Sequence, residues 1–341
     1  MQKERIQWID NSKLIGIWLV ILGHTNILKE YQSYIYSFHI PLFFFISGYV
    51  YQPKYSYLKE QRKNIVQLIW PYFTLYLIIW ILNLIIFTFG YFFVTGKWNQ
   101  SFSTGIIKPF LGLFYGVGYD TETSFMACIP LWFLLGLFFN RTFLNTIHLF
   151  SKNTGILILS SLIMLFLSQF LKFHNIDLYW SIDSAMIAFP FFIFGHLSNK
   201  LKLLVLKNKI IIFALVGLIF LLLSFTSQLN GATDINANRI GNNVILFLFN
   251  GVIGSIGIIY LSLIFEKPYQ FISTLSQNTI IILAFHVIPI ILLNLILPYW
   301  LSNIYTNIVI SLVILLIMIF PIRIINRYTP ILLKFPYSRH N

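Results

Sequence analysis

An all-helical membrane bundle with about ten transmembrane helices, both termini cytoplasmic, is the fold this sequence predicts, on three observations. Hydrophobic residues make up 58% of the chain and charged residues only 10%, with a mean hydropathy of +0.80, far from the composition of a soluble domain of 341 residues. Apolar windows near the length that crosses a hydrocarbon core of about 30 Å recur along the whole chain. The Lys and Arg residues then sort to one side of those windows, as cytoplasmic loops require.

The windows run 11–28, 34–52, 65–93, 130–150, 154–172, 182–198, 209–228, 243–265, 278–298 and 304–322. The first follows Lys3, Arg5 and Lys13 and looks like a secretory signal, but no small-residue cleavage site follows it, so it is read as a retained transmembrane helix. The third is long enough to tilt or kink, and the fourth is interrupted by Asn140 and Arg141, which shortens it or brings it to the cytoplasmic interface there. With the N-terminus inside, Lys54, Lys59, Arg62 and Lys63, then Lys200 to Lys209, then the tail cations fall inside. Of the 23 Lys and Arg, only Lys29, Lys97, Lys108, Lys172 and Arg239 fall outside. The net charge of +13 is therefore expected to mark cytoplasmic loops, with no nucleic-acid partner. Cys128 is the single cysteine, and no His/Cys/carboxylate group has metal-ligand spacing, so neither a disulfide nor a metal is expected. With no internal repeat or linker, one domain over 1–341 is expected.

Polar groups inside apolar windows are costly and ask for a reason. Asp10, Lys13 and His24 all fall in or beside the first window. Eleven residues separate Lys13 from His24, which places them within about 20° of one helix face and about 16 Å apart along the axis. Asp10, three residues before Lys13, is spaced to pair with it. The face thus carries an ion pair at one end and, at the other, the side chain best suited to proton transfer near neutral pH. A second stretch follows: Phe38-His39-Ile40-Pro41, three Phe residues, then Ile46-Ser47-Gly48-Tyr49. Ser47 lies eight residues beyond His39, about 80° away on a helix, so the two form no nucleophile–base pair within that segment.

The order Trp8-Ile9-Asp10, Lys13, His24, then Phe38-His39-x-Pro41-Leu-Phe-Phe-Phe-Ile-Ser47-Gly48-Tyr49 resembles the acyltransferase-3 family of integral membrane O-acyltransferases, especially its fucose 4-O-acetyltransferase-like branch. The resemblance implies a bacterial plasma-membrane enzyme that moves an acetyl or other acyl group from acyl-CoA to a hydroxyl of a cell-surface polysaccharide, glycolipid or lipid-linked sugar precursor. Its partners would be acyl-CoA, the glycan acceptor and membrane lipid. In that frame His24 is the candidate base for the acceptor hydroxyl, with His39 assisting it or shaping the pocket. Lys13, where the family commonly has Arg, is the candidate contact for coenzyme phosphates and part of the catalytic group with Asp10. The run Lys59-Glu60-Gln61-Arg62-Lys63 either attracts the same phosphates through Arg62 and Lys63 or is ordinary positive-inside charge. Ser47 pairs with His24 across helices or only packs.

Three later groups keep two readings each. The polar loop with Asp234, Asn236 and Asn242 is a solvated turn or, by a similar pattern in the fucose-acetyltransferase-like branch, an acceptor-binding element. Leu275-Ser276-Gln277-Asn278-Thr279 followed by an apolar turn and His286 looks like a late family pattern, with Gln277 and Thr279 departing from it. Asn278 and His286 then contribute on the acceptor side, or His286 is a buried imidazole bonded between helices. The segment 94–129, with Trp98, Tyr115 and Tyr119, has a composition compatible with sugar stacking. A different function class, a multispanning glycan transporter, flippase or polymerase without acyl transfer, shares the helices and an outer polar loop but needs no Lys13-to-His24 pattern.

Overall fold

The computed structural model describes residues 6–25, 27–85, 107–117, 130–202, 208–265, 269–296 and 303–333. The expectations placed on Cys128, on Trp98 and Tyr119, and on Lys3, Arg5, Lys97, Lys334 and Arg339 lie outside these residues. Among the described residues the chain is helical throughout, its one β-bridge joining Asp234 to Arg239 in a loop. In order, the helices are α1 (Gln7–His24), α2 (Lys29–Tyr36), α3 (His39–Val50), α4 (Tyr57–Asn64), α5 (Trp70–Leu84), α6 (Lys108–Tyr115), α7 (Trp132–Phe150), α8 (Thr154–Phe173) and α9 (Ile182–Lys200). They continue as α10 (Lys209–Asn230), α11 (Val244–Ile264), α12 (Gln270–Gln277), α13 (Thr279–Phe285), α14 (Val287–Ile296), α15 (Ile304–Ile317) and α16 (Ile319–Tyr328).

Six of these stretches are long and apolar enough to cross a membrane, or seven if the bent pair α12 and α13–α14 is one span. That is fewer than the ten windows of the sequence, and the shortfall has local causes. The window 34–52 is divided: α2 ends at Tyr36 and α3 starts at His39, leaving a helix of 12 residues, about 18 Å long. The window 278–298 opens on a 64° bend at Asn278. Helices α1 and α7 are long enough but carry the polar residues that dilute their hydropathy. The fourth window is not interrupted at Asn140 and Arg141: α7 runs straight through them, and the Asn140 amide donates to the Gly136 and Ala185 carbonyls. A π turn at Ile65–Ile69 joins α4 to α5 just before Pro71, whose ring nitrogen has no proton for the carbonyl four residues earlier.

The centre of the bundle is α9, with 83% of its most apolar window buried, whereas α8 and α10 bury 22% and turn residues such as Phe166, Phe213 and Phe225 outward. Helix α3 crosses α9 backbone to backbone: a Cβ at Gly48 would collide with the Phe192 carbonyl, and one at Gly195 with the Phe45 carbonyl. Small residues at such a crossing allow the close approach that drives helix association where no hydrophobic difference exists between lipid and side chain. Helix α1 is fixed along its length by polar bonds. Near its start Asn11 donates to the Ser262 and Phe265 carbonyls and Ser12 to the Ser262 hydroxyl, and further on the Trp18 indole donates to Ser311. The direction of His24 relative to the rest of the bundle is thus set before any ligand binds.

Candidate functional site

Three helix ends meet around His24. The end of α1 is closed by Thr25, whose hydroxyl donates to the Leu22 carbonyl at 2.7 Å. The chain then returns through α2, and the Tyr36 hydroxyl at its last residue donates to the Gly23 carbonyl at 3.1 Å, tying the two helix ends together. The Tyr36 ring lies 4.8 Å from the ring of His39, the first residue of α3. The third end is that of α13, where His286 closes the helix with its ring centroid 5.1 Å from that of His24.

The three imidazoles differ in what they are bonded to. His39 is buried, and its Nδ1 donates to the Ile35 carbonyl at 2.8 Å. His286 is fully buried, and its Nδ1 lies 3.0 Å from both the Ile282 and the Leu283 carbonyls. A carbonyl only accepts, so in both rings the proton is on Nδ1 and Nε2 carries the lone pair. The Nε2 of His286 is buried and has no hydrogen-bond partner among the described residues. His24 is half-buried and makes no side-chain hydrogen bond among the described residues, so it alone of the three keeps both ring nitrogens for a substrate. None of the described hydrogen bonds joins an imidazole to a carboxylate or to Ser47. Ser47 sits half-buried two turns along α3, about 12 Å from His39 down the axis, and is not brought to the histidine cluster.

Above this cluster lies the loop 231–243, which is a built structure and not a loose turn. Asp234 and Arg239 exchange both backbone hydrogen bonds at 2.8 Å and pair through their side chains at 3.6 Å. The Asp234 carboxylate also accepts from the Asn236 and Ala237 backbone N–H groups. Burial pushes the Asp234 carboxyl above the usual carboxylate range, against the pull of Arg239 and those two N–H groups. The Asn236 carbonyl accepts from Ser184, and the neighbouring Asn238 amide donates to buried Asp183 at 2.6 Å, so the loop is pinned to the start of α9. Asn242 donates to the Leu229 carbonyl at the end of α10. The charges of Asp234 and Arg239 act on the Tyr36 hydroxyl, which places the loop next to the histidine end of the bundle. Tyr36, Asp183 and Asn238 belong to this construction.

The remaining candidates lie elsewhere. Asp10 is buried and Lys13 half-buried at the opposite end of α1, Lys13 about 16 Å from His24 along the axis. Arg62 and Lys63 are exposed on α4, and Lys63 is 3.6 Å from Glu60. Asn278 stands at the α12–α13 bend, where its amide donates to the Thr274 carbonyl and its oxygen accepts from Asn326. Both ends of that side chain hold the bend, two turns from His286. No group of three or more His, Cys, Asp or Glu side chains placed to hold a metal ion occurs among the described residues.

A second polar cluster, around Arg141, gave only the sequence signal of a charge in an apolar run. The Arg141 guanidinium lies over the Tyr51 ring, 4.9 Å from its centroid, and donates to Asn64 and Gln67. The Tyr51 hydroxyl in turn exchanges hydrogen bonds with Asn145 and accepts from Asn64. The Tyr51 carbonyl lies 3.1 Å from His196 Nδ1, which fixes His196 as a packing group at this end.

Compared with known families, residues 6–325 match the model described as an acyltransferase domain, that of acyltransferase-3. Neither the curated proteins nor the solved structures give a match. An all-helical bundle with several membrane-length helices and a family match over nearly all of its described residues leave one assignment: the chain belongs to the acyltransferase-3 family of membrane acyltransferases.

Proposed function

We propose that the protein is an O-acyltransferase of the bacterial plasma membrane that transfers an acetyl group from acetyl-CoA to a hydroxyl of a glycan, glycolipid or lipid-linked sugar, with both termini cytoplasmic and the coenzyme entering at the Lys13 end of α1. The observation that carries this reading is His24 itself, an imidazole with no side-chain hydrogen bond among the described residues, set between two others that are tied to backbone carbonyls. Its sequence context resembles that of the fucose 4-O-acetyltransferase-like branch.

A sugar hydroxyl is a poor nucleophile at neutral pH, and an imidazole within hydrogen-bond reach removes its proton as it attacks. In the proposed step a ring nitrogen of His24 takes the hydroxyl proton while the acceptor oxygen bonds to the thioester carbonyl carbon. The carbon–sulfur bond breaks, the acyl group stays on the acceptor oxygen, and the imidazolium returns its proton to the departing thiolate. The products are the ester, the free coenzyme thiol and neutral His24. His286, with an unpartnered Nε2 beside His24, is a positioning residue that accepts the N–H of the imidazolium. Asp234, Asn236 and Asn242 present the acceptor side, and Lys13, with Arg62 and Lys63 nearer the surface, meets coenzyme phosphates. Membranes containing the protein, supplied with acetyl-labelled acetyl-CoA and a hydroxyl-bearing glycan acceptor, are expected to form an alkali-labile labelled ester. Mass spectrometry of surface glycans from cells with and without the gene is expected to differ by one acetyl mass. Label that never leaves acetyl-CoA, with unaltered glycans, would point instead to transport without acyl transfer.

A further inference from the structure

One to two helical turns from the three imidazoles the bundle is not fully packed. A cavity of about 30 Å³ opens between α1, α3, α7 and α13, and its walls include Ile17, Val20, Phe43, Phe133, Thr279 and Leu283. The register of these residues is the informative point. Val20 and Ile17 stand four and seven residues before His24, Phe43 four after His39, and Leu283 and Thr279 three and seven before His286. Spacings of three, four and seven return to the same helix face, so each histidine has its own wall residues one or two turns below it. The three helices that carry the imidazoles therefore carry the cavity too, on the side that faces Lys13 along α1. Phe133 of α7 closes the remaining wall, packed edge to face on Phe43 with centroids 5.7 Å apart.

The lining is apolar apart from the Thr279 hydroxyl. An apolar cleft favours apolar groups, and leaving one unfilled beneath a functional cluster costs packing energy that a neighbouring methyl group would recover. A sugar, with hydroxyls to satisfy on every face, does not belong there; its polar partners lie on the other side of the histidines, in the loop at Asp234–Asn242. The size suits a short acyl chain: a water needs roughly 10–15 Å³, and about 30 Å³ has room for two groups of that size, the methyl and carbonyl of a two-carbon chain.

We propose that this cavity is the acyl pocket: it holds the acetyl group of the donor under His24, and Ile17, Val20 and Leu283 at its floor and walls limit the chain to two carbons. The inference rests on the acyl-CoA donor reading above and adds to it the position of the acyl group, the residues that measure it, and an arrangement in which donor and acceptor approach His24 from opposite sides.

The test is the donor chain-length profile of the purified protein, read as the ratio of kcat/KM for butyryl-CoA to that for acetyl-CoA. A ratio is insensitive to how much of a variant is correctly folded. The wild type is expected to favour acetyl-CoA strongly, since one methylene at such a wall discriminates by roughly 10–200-fold. Val20→Ala and Leu283→Ala, which lengthen the cavity, are expected to raise the ratio by about tenfold or more on the same ground. Ile17→Val, a smaller change, keeps the test available should those variants not fold, with a smaller rise expected. Filling the cavity with Val20→Phe is expected to abolish acetyl transfer while leaving binding of free coenzyme A, which has no acyl group, unchanged. A wild type that uses butyryl-CoA as well as acetyl-CoA, or a ratio unmoved by Val20→Ala, Leu283→Ala and Ile17→Val, would overturn the pocket while leaving the donor reading intact. No transfer from any acyl-CoA by the folded wild type would overturn the donor reading, and the pocket with it.

Discussion

The histidine end of the bundle and the Arg141 end solve the same problem in opposite ways. Both bring polar side chains into a helical bundle where an unsatisfied group is expensive. At the Arg141 end the solution is mutual: Arg141, Asn64, Gln67, Tyr51 and Asn145 donate and accept among themselves, and the donors of one side chain meet the acceptors of the next. At the histidine end each bonded imidazole turns to nearby backbone carbonyls, His39 to Ile35 at the end of α2 and His286 to Ile282 and Leu283 of α13. That arrangement fixes the tautomer and leaves Nε2 lone pairs around His24. Side chains that satisfy one another form an anchor, whereas side chains satisfied by backbone keep one face for chemistry. Substitutions at the two ends should therefore fail differently, one in stability and the other in rate.

The largest effect is expected at His24. Removing a general base costs roughly 10²–10⁴ in the chemical rate, so His24→Ala should lose acyl transfer by that factor while expression, membrane insertion and thermal melting in detergent stay near those of the wild type. His39→Ala and His286→Ala are expected to lose less, and His196→Ala least, because its ring is bound to the Tyr51 carbonyl at the other end. Near-full activity in His24→Ala would erase the distinction between the two ends.

Next in size is Arg141. In Arg141→Met the buried Asn64 oxygen loses its donor, a loss of about 1–3 kcal/mol for a group left unpaired in a buried site, whereas the exposed Gln67 oxygen turns to other partners. Thermal melting should fall accordingly, with kcat of the folded fraction unchanged. Arg141→Lys should restore only part of the stability, because an ammonium does not reproduce the planar guanidinium that lies over Tyr51 while bonding to two amides. A fall in kcat without a fall in melting temperature would mean that the Arg141 end takes part in the chemistry.

How much of this was legible in the sequence follows from the range of the interactions. The ends of α8, α10 and α11 lie within two residues of the expected windows, because hydropathy and the caps Asn153, Asn208 and Asn243 are local signals. The His24–Lys13 register on α1 is equally local and is preserved. The division at Ser37–Phe38, the bend at Asn278 and the π turn before Pro71 occur inside apolar stretches where hydropathy alone has no contrast. The approach of His286 to His24 joins residues 262 positions apart, and the Tyr51–Asn64–Arg141–Asn145 cluster draws on three helices. Such contacts are decided by which helix faces pack together, as at the Gly48–Gly195 crossing, and no window of sequence contains them.

The smallest effect expected, and the one that sharpens the comparison most, belongs to Lys13. It lies on the His24 face of α1 but at the far end, half-buried where Asn11 and Ser12 dock onto α11, so it has a share in both kinds of behaviour. A cation that meets a coenzyme phosphate acts on donor binding, and a charged hydrogen bond of this kind is worth about 1.5–3 kcal/mol before solvent screening. Lys13→Ala is therefore expected to raise the apparent KM for acetyl-CoA by about tenfold, at the screened end of that range, with the KM for the glycan unchanged. Lys13→Arg, which keeps the charge and offers a phosphate two parallel donors, should retain most of the activity. If Lys13 instead belongs to the anchoring side, paired with Asp10 one turn away, Lys13→Ala should behave like Arg141→Met: a lower melting temperature, partly recovered by neutralising Asp10 as Asn, and a donor KM that does not move. Donor and acceptor KM measured separately on folded Lys13→Ala decide between these, and an unchanged donor KM would assign Lys13 to the scaffold and leave the phosphates to the exposed cations Arg62 and Lys63 on α4.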